Sequence, residues 1–345
     1  MAADIAEQPG GFARLLDDAH LSAIAQVAAE VAARKPRNVM FVGRGTSDHA
    51  ALYGAYLTEI RLGLPVASAS PSAITLYGAR PDFSSTLVIG VSQSGGSPDL
   101  AGVLNAARES GGLTLAITNN PGSPLARAAE LAIDVAAGHE RAVAATKTYT
   151  AELLALLLLI EGVRAGDGRL PDDERAALDK LPQLAEDALA DPAADELAQR
   201  YRFASRMVTT GRGYAYPTAR EAALKLMETS YLPALAFSGA DLLHGPLAMA
   251  DPDVPVLAVV GDGPGGQAMR DVVGRLAERR ADVVTIGADD IEGAAGRLPV
   301  PAVADERYSA LLDILPLQKL ALALALARGE DPDSPRGLKK VTTTL

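Results

Sequence analysis

Glu221, Lys225 and Glu228 stand four and three residues apart in the stretch Thr218 to Pro246. Ala, Leu, Lys, Met and Glu dominate its first half, and neither Gly nor Pro interrupts it until Pro233, which reads as a helix. At about 100° per residue the three charges fall on one stripe, within roughly 60° of each other. The residues between them, Ala222, Ala223, Leu224, Leu226 and Met227, are all apolar. Two arrangements fit the spacing. One is an ion-pair ladder on a solvated face. The other is a carboxylate and an ammonium lining a polar cavity, which the apolar surroundings favour, because buried charges must face each other or a polar space.

Two loops carry a different chemistry. Ser92-Gln-Ser-Gly-Gly-Ser97 lies between an apolar run and a helix start. Hydroxyls, an amide and backbone N–H groups gather there on the positive end of a helix, which suits a phosphate or carboxylate. The loop lacks the lysine of a nucleotide-binding P-loop, and Gly43-Arg-Gly-Thr-Ser47 lacks the third glycine of a dinucleotide fingerprint. In this second loop Thr46 and Ser47 stand at a helix start, where ordinary capping is the competing explanation. The four histidines show no metal-binding spacing. His244 sits in an apolar strip, Leu-Leu-His-Gly-Pro-Leu, and is either a core residue or a proton carrier. By composition Lys339 and Lys340, near the end of the chain, are solvated charges.

The elements that must position these residues follow a strand–turn–helix rhythm. Helical spacing covers Phe12 to Arg34, ended by Pro36. Strands are expected at Asn38–Val42, Leu87–Val91 and Leu113–Thr118, with helices from about Asp48 to Leu62 and from Pro98 onward. After an acidic, Pro-broken helical stretch the rhythm restarts, with strands at Arg206–Thr210, Val254–Val260 and Ala281–Gly287. The restart is in register: Val42-Gly-Arg-Gly45 recurs as Thr210-Gly-Arg-Gly213, and the next strand end shifts by about the same amount, from Gly90 to Val260. Two copies of one α/β unit, with ligands at the carboxyl ends of parallel strands, is the expectation. At 345 residues the chain is long enough for two such units. Its net charge of −11 argues against nucleic-acid or anionic-membrane partners. The absence of Cys removes disulfides and a thiolate nucleophile. The N-terminus shows no signal-peptide pattern and the run Leu153–Ile160 is too short to span a bilayer, so a soluble, cytoplasmic protein is expected.

The ordered motifs Glu7-Gln-Pro9, Gly45-Thr-Ser47, Ser92-Gln-Ser-Gly95, Thr118-Asn-Asn-Pro-Gly-Ser123, Ala145-Thr-Lys147, Gly211-Arg-Gly-Tyr-Ala-Tyr-Pro217, Glu221 to Lys225 with Glu228, His244-Gly-Pro-Leu247, Leu315-Pro-Leu-Gln318 and Pro335-Arg to Lys340 span the chain. With them it resembles the sugar isomerase (SIS) domain proteins, and closely the isomerase half of glucosamine-6-phosphate synthase. The resemblance implies two tandem SIS subdomains of α/β class, each a parallel sheet flanked by helices in a flavodoxin-like, doubly wound order. The organisation expected is an N-terminal helical segment (1–34), subdomain 1 (35–165), a helical connector (166–200), subdomain 2 (201–330) and a tail closing the active site (331–345). It implies a phosphorylated hexose or hexosamine as substrate, no cofactor or metal, and a homodimer with its active site at the subunit interface.

The resemblance also assigns roles. Thr46, Ser47, Ser92, Gln93, Ser94 and Ser97 would bind the phosphate, and Gly45, Val143 and Ala145 the rest of the substrate. Glu228 would move a proton between C1 and C2, His244 would assist ring opening from the neighbouring subunit, and Lys340 would engage the open-chain carbonyl. Lys225 and Glu221 would support the site. A buried carboxylate has the basicity for aldose–ketose exchange, and a histidine that for ring opening. Three departures bear on the reaction: no glutaminase half with its catalytic Cys is expected, Ala145 stands where the family has Ser, and Leu243 stands where it has Lys. The expected reaction is therefore conversion of glucosamine 6-phosphate to fructose 6-phosphate and ammonia through an enediol or enolamine. The alternatives are deglycation of a fructosyl-amino acid 6-phosphate or another phosphosugar isomerisation, an isomerizing aminotransferase working with a partner, and a non-catalytic phosphosugar-binding regulator.

Overall fold

The computed structural model describes residues 1–287 and 289–340. The chain divides into two compact units. The first-sheet unit comprises Gly10–Glu140 and Lys147–Lys180, with Lys339 and Lys340. Its five parallel strands are β1 (Asn38–Val42), β2 (Val66–Ser68), β3 (Thr86–Val91), β4 (Leu113–Thr118) and β5 (Leu131–Asp134), in the order β2-β1-β3-β4-β5. Every residue of β3 and β4 is buried, as expected for apolar runs covered on both faces of a parallel sheet. The Asp18–Arg34 helix starts on an Asp17 cap that accepts the His20 N–H, and stops at left-handed Lys35, just before Pro36. The Lys147–Ala165 helix is apolar nearly all round. Leu153 to Ile160 are at most 2% exposed, and the helix packs against the Asp18–Arg34 and Thr46–Leu57 helices. Such all-round burial marks a core helix.

The second-sheet unit comprises Met1–Pro9, Arg141–Thr146 and Leu181–Leu338. Its strands are β6 (Met207–Gly211), β7 (Ala234–Ser238), β8 (Val256–Val259), β9 (Val283–Gly287) and β10 (Gly296–Pro299), in the order β10-β9-β8-β6-β7. Read from the other edge, this is the strand order of the first sheet. The two Gly-Arg-Gly turns also match in backbone detail. Gly45 and Gly213 have φ of +54° and +60°, and Gly43 and Gly211 each lie so close to the backbone carbonyl four residues on that a Cβ would clash with it. Duplication of one doubly wound α/β unit, expected from the register of the motifs, is what the fold shows.

The Glu306–Ala327 helix is the core of the second-sheet unit, packed against the Ala215–Ser230 and Ala193–Tyr201 helices. Among the described residues it is the one helix long and apolar enough to cross a membrane, and it is mostly buried within the protein. Its Gln318 side chain, fully buried, donates to the Thr146 carbonyl (3.2 Å) and accepts from Gln8 (2.8 Å). Asp4 accepts the backbone N–H groups of Arg141 and Ala142. The first nine residues and the 141–146 strap are thereby tied to the core helix.

Candidate active site

The Ala215–Ser230 helix follows β6 and ends at Tyr231, which is left-handed (φ +49°) and precedes Leu232-Pro233. Its charged stripe faces inward. Lys225 Nζ lies 3.3 Å from Glu221 Oε1 and 2.5 Å from Glu228 Oε2. Glu221 and Lys225 are sealed, with side-chain exposures of 0% and 1%, whereas Glu228 is 23% exposed. The three charges form a buried pair with a third group at the solvent edge, not a ladder on a solvated face. Burial alone would push the Lys225 ammonium down. The charges of Glu221 and Glu228, with the hydrogen bonds to both, outweigh burial and hold it above the usual lysine range. The ammonium is therefore a fixed cation that orients Glu228.

In the first-sheet unit the loops after β1 and β3 end adjacent parallel strands, with Val42 opposite Gly90. In this strand order they flank the switch point, the place where doubly wound sheets take ligands. The Ser92–Ser97 loop is held from below by the Thr118–Ser123 turn. Thr118 Oγ1 and the Asn119 N–H donate to the Gln93 carbonyl, Asn120 Nδ2 donates to that of Ser94, and the Leu125 N–H to that of Gly95. Gly95 is left-handed (φ +60°), and a Cβ there would overlap the Ser123 side chain. With three successive carbonyls bonded to protein, the loop offers a ligand mainly donors. Ser92 Oγ accepts the Gly95 N–H and Ser94 Oγ that of Gly96, so each hydroxyl has its own proton to donate. Ser97 occupies the N-cap of the Pro98–Glu109 helix without a capping hydrogen bond from its side chain. The loop suits an oxyanion.

Thr46 opens the Thr46–Leu57 helix, one residue later than the cap position, which Gly45 takes. Ser47 is buried and donates to Glu152 (2.9 Å). Val143 is partly buried and Ala145 buried in the 141–146 strap of the second-sheet unit. His244 ends the Gly239–Leu243 turn and is exposed, so it is not a core residue. Lys340 is exposed. Among the described residues no group of three or more His, Asp or Glu is arranged to hold a metal ion.

Two supporting contacts were not legible in the sequence. Arg44, inside the first Gly-Arg-Gly turn, pairs with buried Asp99 of the Pro98–Glu109 helix (2.7 Å), and so fastens the two switch-point loops together. Arg336 donates its backbone N–H to Tyr231 Oη (2.6 Å) and stacks its guanidinium 4.1 Å from that ring's centre. This docks the chain's last described turn on the cap of the Glu228 helix. The cue for the first was an Asp in the opening helical turn. For the second no local cue exists.

Fold and site together define a duplicated, doubly wound α/β protein. It has a hydroxyl-rich loop at the switch point of one sheet and a carboxylate–ammonium–carboxylate stripe on the helix that follows the first strand of the other. The SIS domain pattern matches residues 33–162 and 201–328, and the chain belongs to that family. It is 36% identical over 362 aligned positions to the glutamine–fructose-6-phosphate aminotransferase [isomerizing] of Gloeobacter violaceus, covering 99% of this chain and 58% of that protein. The chain thus spans less than two thirds of the curated relative it matches. A crystal structure described as a candidate phosphosugar isomerase of Silicibacter pomeroyi superposes with a TM-score of 0.88 at 34% identity, covering 96% of this chain and 98% of that one. The C-terminal domain of glucosamine–fructose-6-phosphate aminotransferase from Francisella tularensis superposes with a TM-score of 0.86 at 25% identity, covering 96% and 97%.

Proposed function

We propose that the chain is a phosphosugar isomerase of the SIS type that acts on an amino sugar phosphate, converting glucosamine 6-phosphate and water to fructose 6-phosphate and ammonia. The observation that carries the reading is the graded burial of the stripe: Glu221 and Lys225 are closed off as a pair, and Glu228 alone reaches solvent. In this reading the Ser92–Ser97 and Gly43–Ser47 loops hold the phosphate. Glu228 takes the C2 proton of the open-chain aldehyde, leaving an enolamine, and returns a proton at C1 to give the ketimine. Water adds at C2 and the amine leaves as ammonia. Lys225 holds the carboxylate in place during both transfers. His244, exposed in the single chain, assists ring opening in a homodimer, and Lys340 engages the open-chain carbonyl. Gly45, Val143 and Ala145 contact the sugar, and the reaction is placed in the cytoplasm.

The test is a panel of hexosamine 6-phosphates scored for released ammonia. Activity on at least one is expected, with loss of turnover but retained sugar-phosphate binding in Glu228→Gln. No ammonia from any member would sink the reading. The similarity to isomerizing aminotransferases over 99% of the chain supports a second direction, amination of fructose 6-phosphate with ammonia supplied by a partner. Formation of glucosamine 6-phosphate from fructose 6-phosphate and ammonium salts would favour it.

A further inference from the structure

Tyr231 stands where the backbone disfavours a tyrosine. It closes the Ala215–Ser230 helix in the left-handed conformation, at φ +49° and ψ +29°, which glycine or asparagine ordinarily supplies at a helix end. Other side chains are disfavoured there. Among the described residues the non-glycine positions with positive φ are Lys35, Ala136, Tyr231 and Arg280, and Tyr231 is the only aromatic one. The backbone gives no reason for a tyrosine, so the reason lies in what its ring and hydroxyl touch.

They touch the segment that follows the core helix. Residues Pro335 to Leu338 form a turn. The Leu338 N–H meets the Pro335 carbonyl at 3.4 Å, and Gly337 has φ +73°, in the position where a type II turn takes glycine. Arg336, the residue before that glycine, meets Tyr231 twice. Its backbone N–H donates to Oη at 2.6 Å, and its guanidinium lies 4.1 Å from the ring centre, within cation–π range. Glu330 Oε1 stands 3.6 Å from the same guanidinium. Pro335 is buried, whereas the chain from Gly337 to Lys340 is exposed. Tyr231, Glu330 and Arg336 all belong to the second-sheet unit.

We propose that Tyr231 is a positioning residue for the reaction: it anchors the segment that carries Lys340 to the cap of the helix that carries Glu228. The inference rests on the proposed role of Lys340 at the open-chain carbonyl. Glu228 precedes Tyr231 by three residues, about 4.5 Å along a helix axis. Lys340 follows Arg336 by four residues, at most about 14 Å of extended chain. One contact thus gives both groups a common reference point. With it, Lys340 swings on the residues after Arg336; without it, on a longer stretch reaching back toward the end of the core helix at Ala327. A shorter tether raises the effective concentration of the group it carries. Tyr231 itself touches no reacting atom in this scheme.

The experiment compares turnover of glucosamine 6-phosphate by the full chain in wild type, Tyr231→Asn, Tyr231→Phe, Lys340→Met and the double variant Tyr231→Asn with Lys340→Met, each checked for folding by far-UV circular dichroism. Asn keeps the left-handed cap and removes ring and hydroxyl; Phe keeps the ring and removes only the acceptor of the Arg336 N–H. Tyr231→Asn is expected to lower kcat roughly 10- to 100-fold with KM little changed, and Tyr231→Phe to show part of that loss. In the Lys340→Met background Tyr231→Asn should lower kcat no further, because the group it positions is already gone. A cap role acting only on the Glu228 helix would instead multiply the two losses, and that result overturns the proposal. So does normal turnover in both Tyr231 variants beside a slow Lys340→Met, which leaves the proposed role of Lys340 standing. An inactive wild type, or normal turnover in Lys340→Met, removes that role, and the proposal falls with it. Anchoring is also read without activity, by mass spectrometry of trypsin cleavage after Arg336, Lys339 and Lys340. Cleavage should be several-fold faster in Tyr231→Asn than in wild type; equal rates overturn the proposal.

Discussion

Replacing Lys225 by Met and Glu228 by Gln should separate stability from turnover, because the two partners of Lys225 differ in burial. Glu221 is fully enclosed, and its ion pair with Lys225 spans 3.3 Å at 1% and 0% side-chain exposure. Removing one member of a buried pair leaves the other charge desolvated and costs about 3–5 kcal/mol, a large fraction of a typical total of about 5–15 kcal/mol. Glu228 is 23% exposed, and its neutralisation leaves the Lys225–Glu221 pair standing. The expected cost is about 1 kcal/mol or less, while loss of the proposed general base should lower turnover about 10²- to 10⁴-fold. The double variant Lys225→Met with Glu221→Gln removes both enclosed charges and should be more stable than Lys225→Met alone, giving a coupling energy above additivity. The chain has no Trp, so urea unfolding is followed by far-UV circular dichroism, with ammonia release measured on the same samples. Equal destabilisation by Lys225→Met and Glu228→Gln would refute the division of roles. So would normal turnover in folded Glu228→Gln.

Asp313 makes stability depend on pH. Burial, reinforced by the charges of Asp262 and Glu306, pushes its carboxyl from 3.8 to about 8. Between those values the folded state holds a proton that the unfolded state has released, so this group's contribution to stability falls as pH rises, by roughly 1 kcal/mol per pH unit. The trend stops above about pH 8. Asp313→Asn should remove that slope, so that urea midpoints of variant and wild type diverge from pH 5 to 8 with the variant gaining; parallel curves would show that Asp313 holds no such proton. Gly95→Ala should weaken sugar-phosphate binding and stability together, because the left-handed backbone and the Ser123 side chain both oppose a Cβ. Gly111→Ala, at φ +81° with nothing among the described residues within 4 Å of its Cβ, isolates the backbone cost of about 1 kcal/mol; equal losses in the two variants would remove Ser123 from the account.

All six strands expected from the sequence are present, within about two residues at their ends. The four that were missed, Val66–Ser68, Leu131–Asp134, Ala234–Ser238 and Gly296–Pro299, are the four sheet edges. An interior strand of a parallel sheet is covered on both faces and reads as an unbroken apolar run. An edge strand is short and half-exposed, and its sequence resembles the loops around it. Ala234–Ser238 shows the difficulty, since Leu235 at its centre is 52% exposed. The stripe was legible because helical geometry fixes which side chains share a face. Its gradient of burial was not, because that depends on which elements pack over the helix. The motif glutamines Gln8 and Gln318 were visible as a resemblance only. Their direct hydrogen bond joins residues 310 apart in the chain, a distance over which no local pattern carries information.

The stripe also shows why burial alone is a poor guide to which group moves protons. A lysine at 1% exposure is, by desolvation, the group expected to lose its charge, and it would then be the natural base. Here two carboxylates face one ammonium at 3.3 and 2.5 Å, and the balance turns the other way: the lysine is held as a cation. A lysine held above its usual range as a cation is poorly placed to accept a proton. Glu221 has no route to solvent. In the proposed reaction, acid–base work on this helix is assigned to Glu228, the one member of the three that is held by a charge on its inner side and open on its outer side. Sequence spacing brought the three groups together, and the unequal depth of their burial gives each a different role.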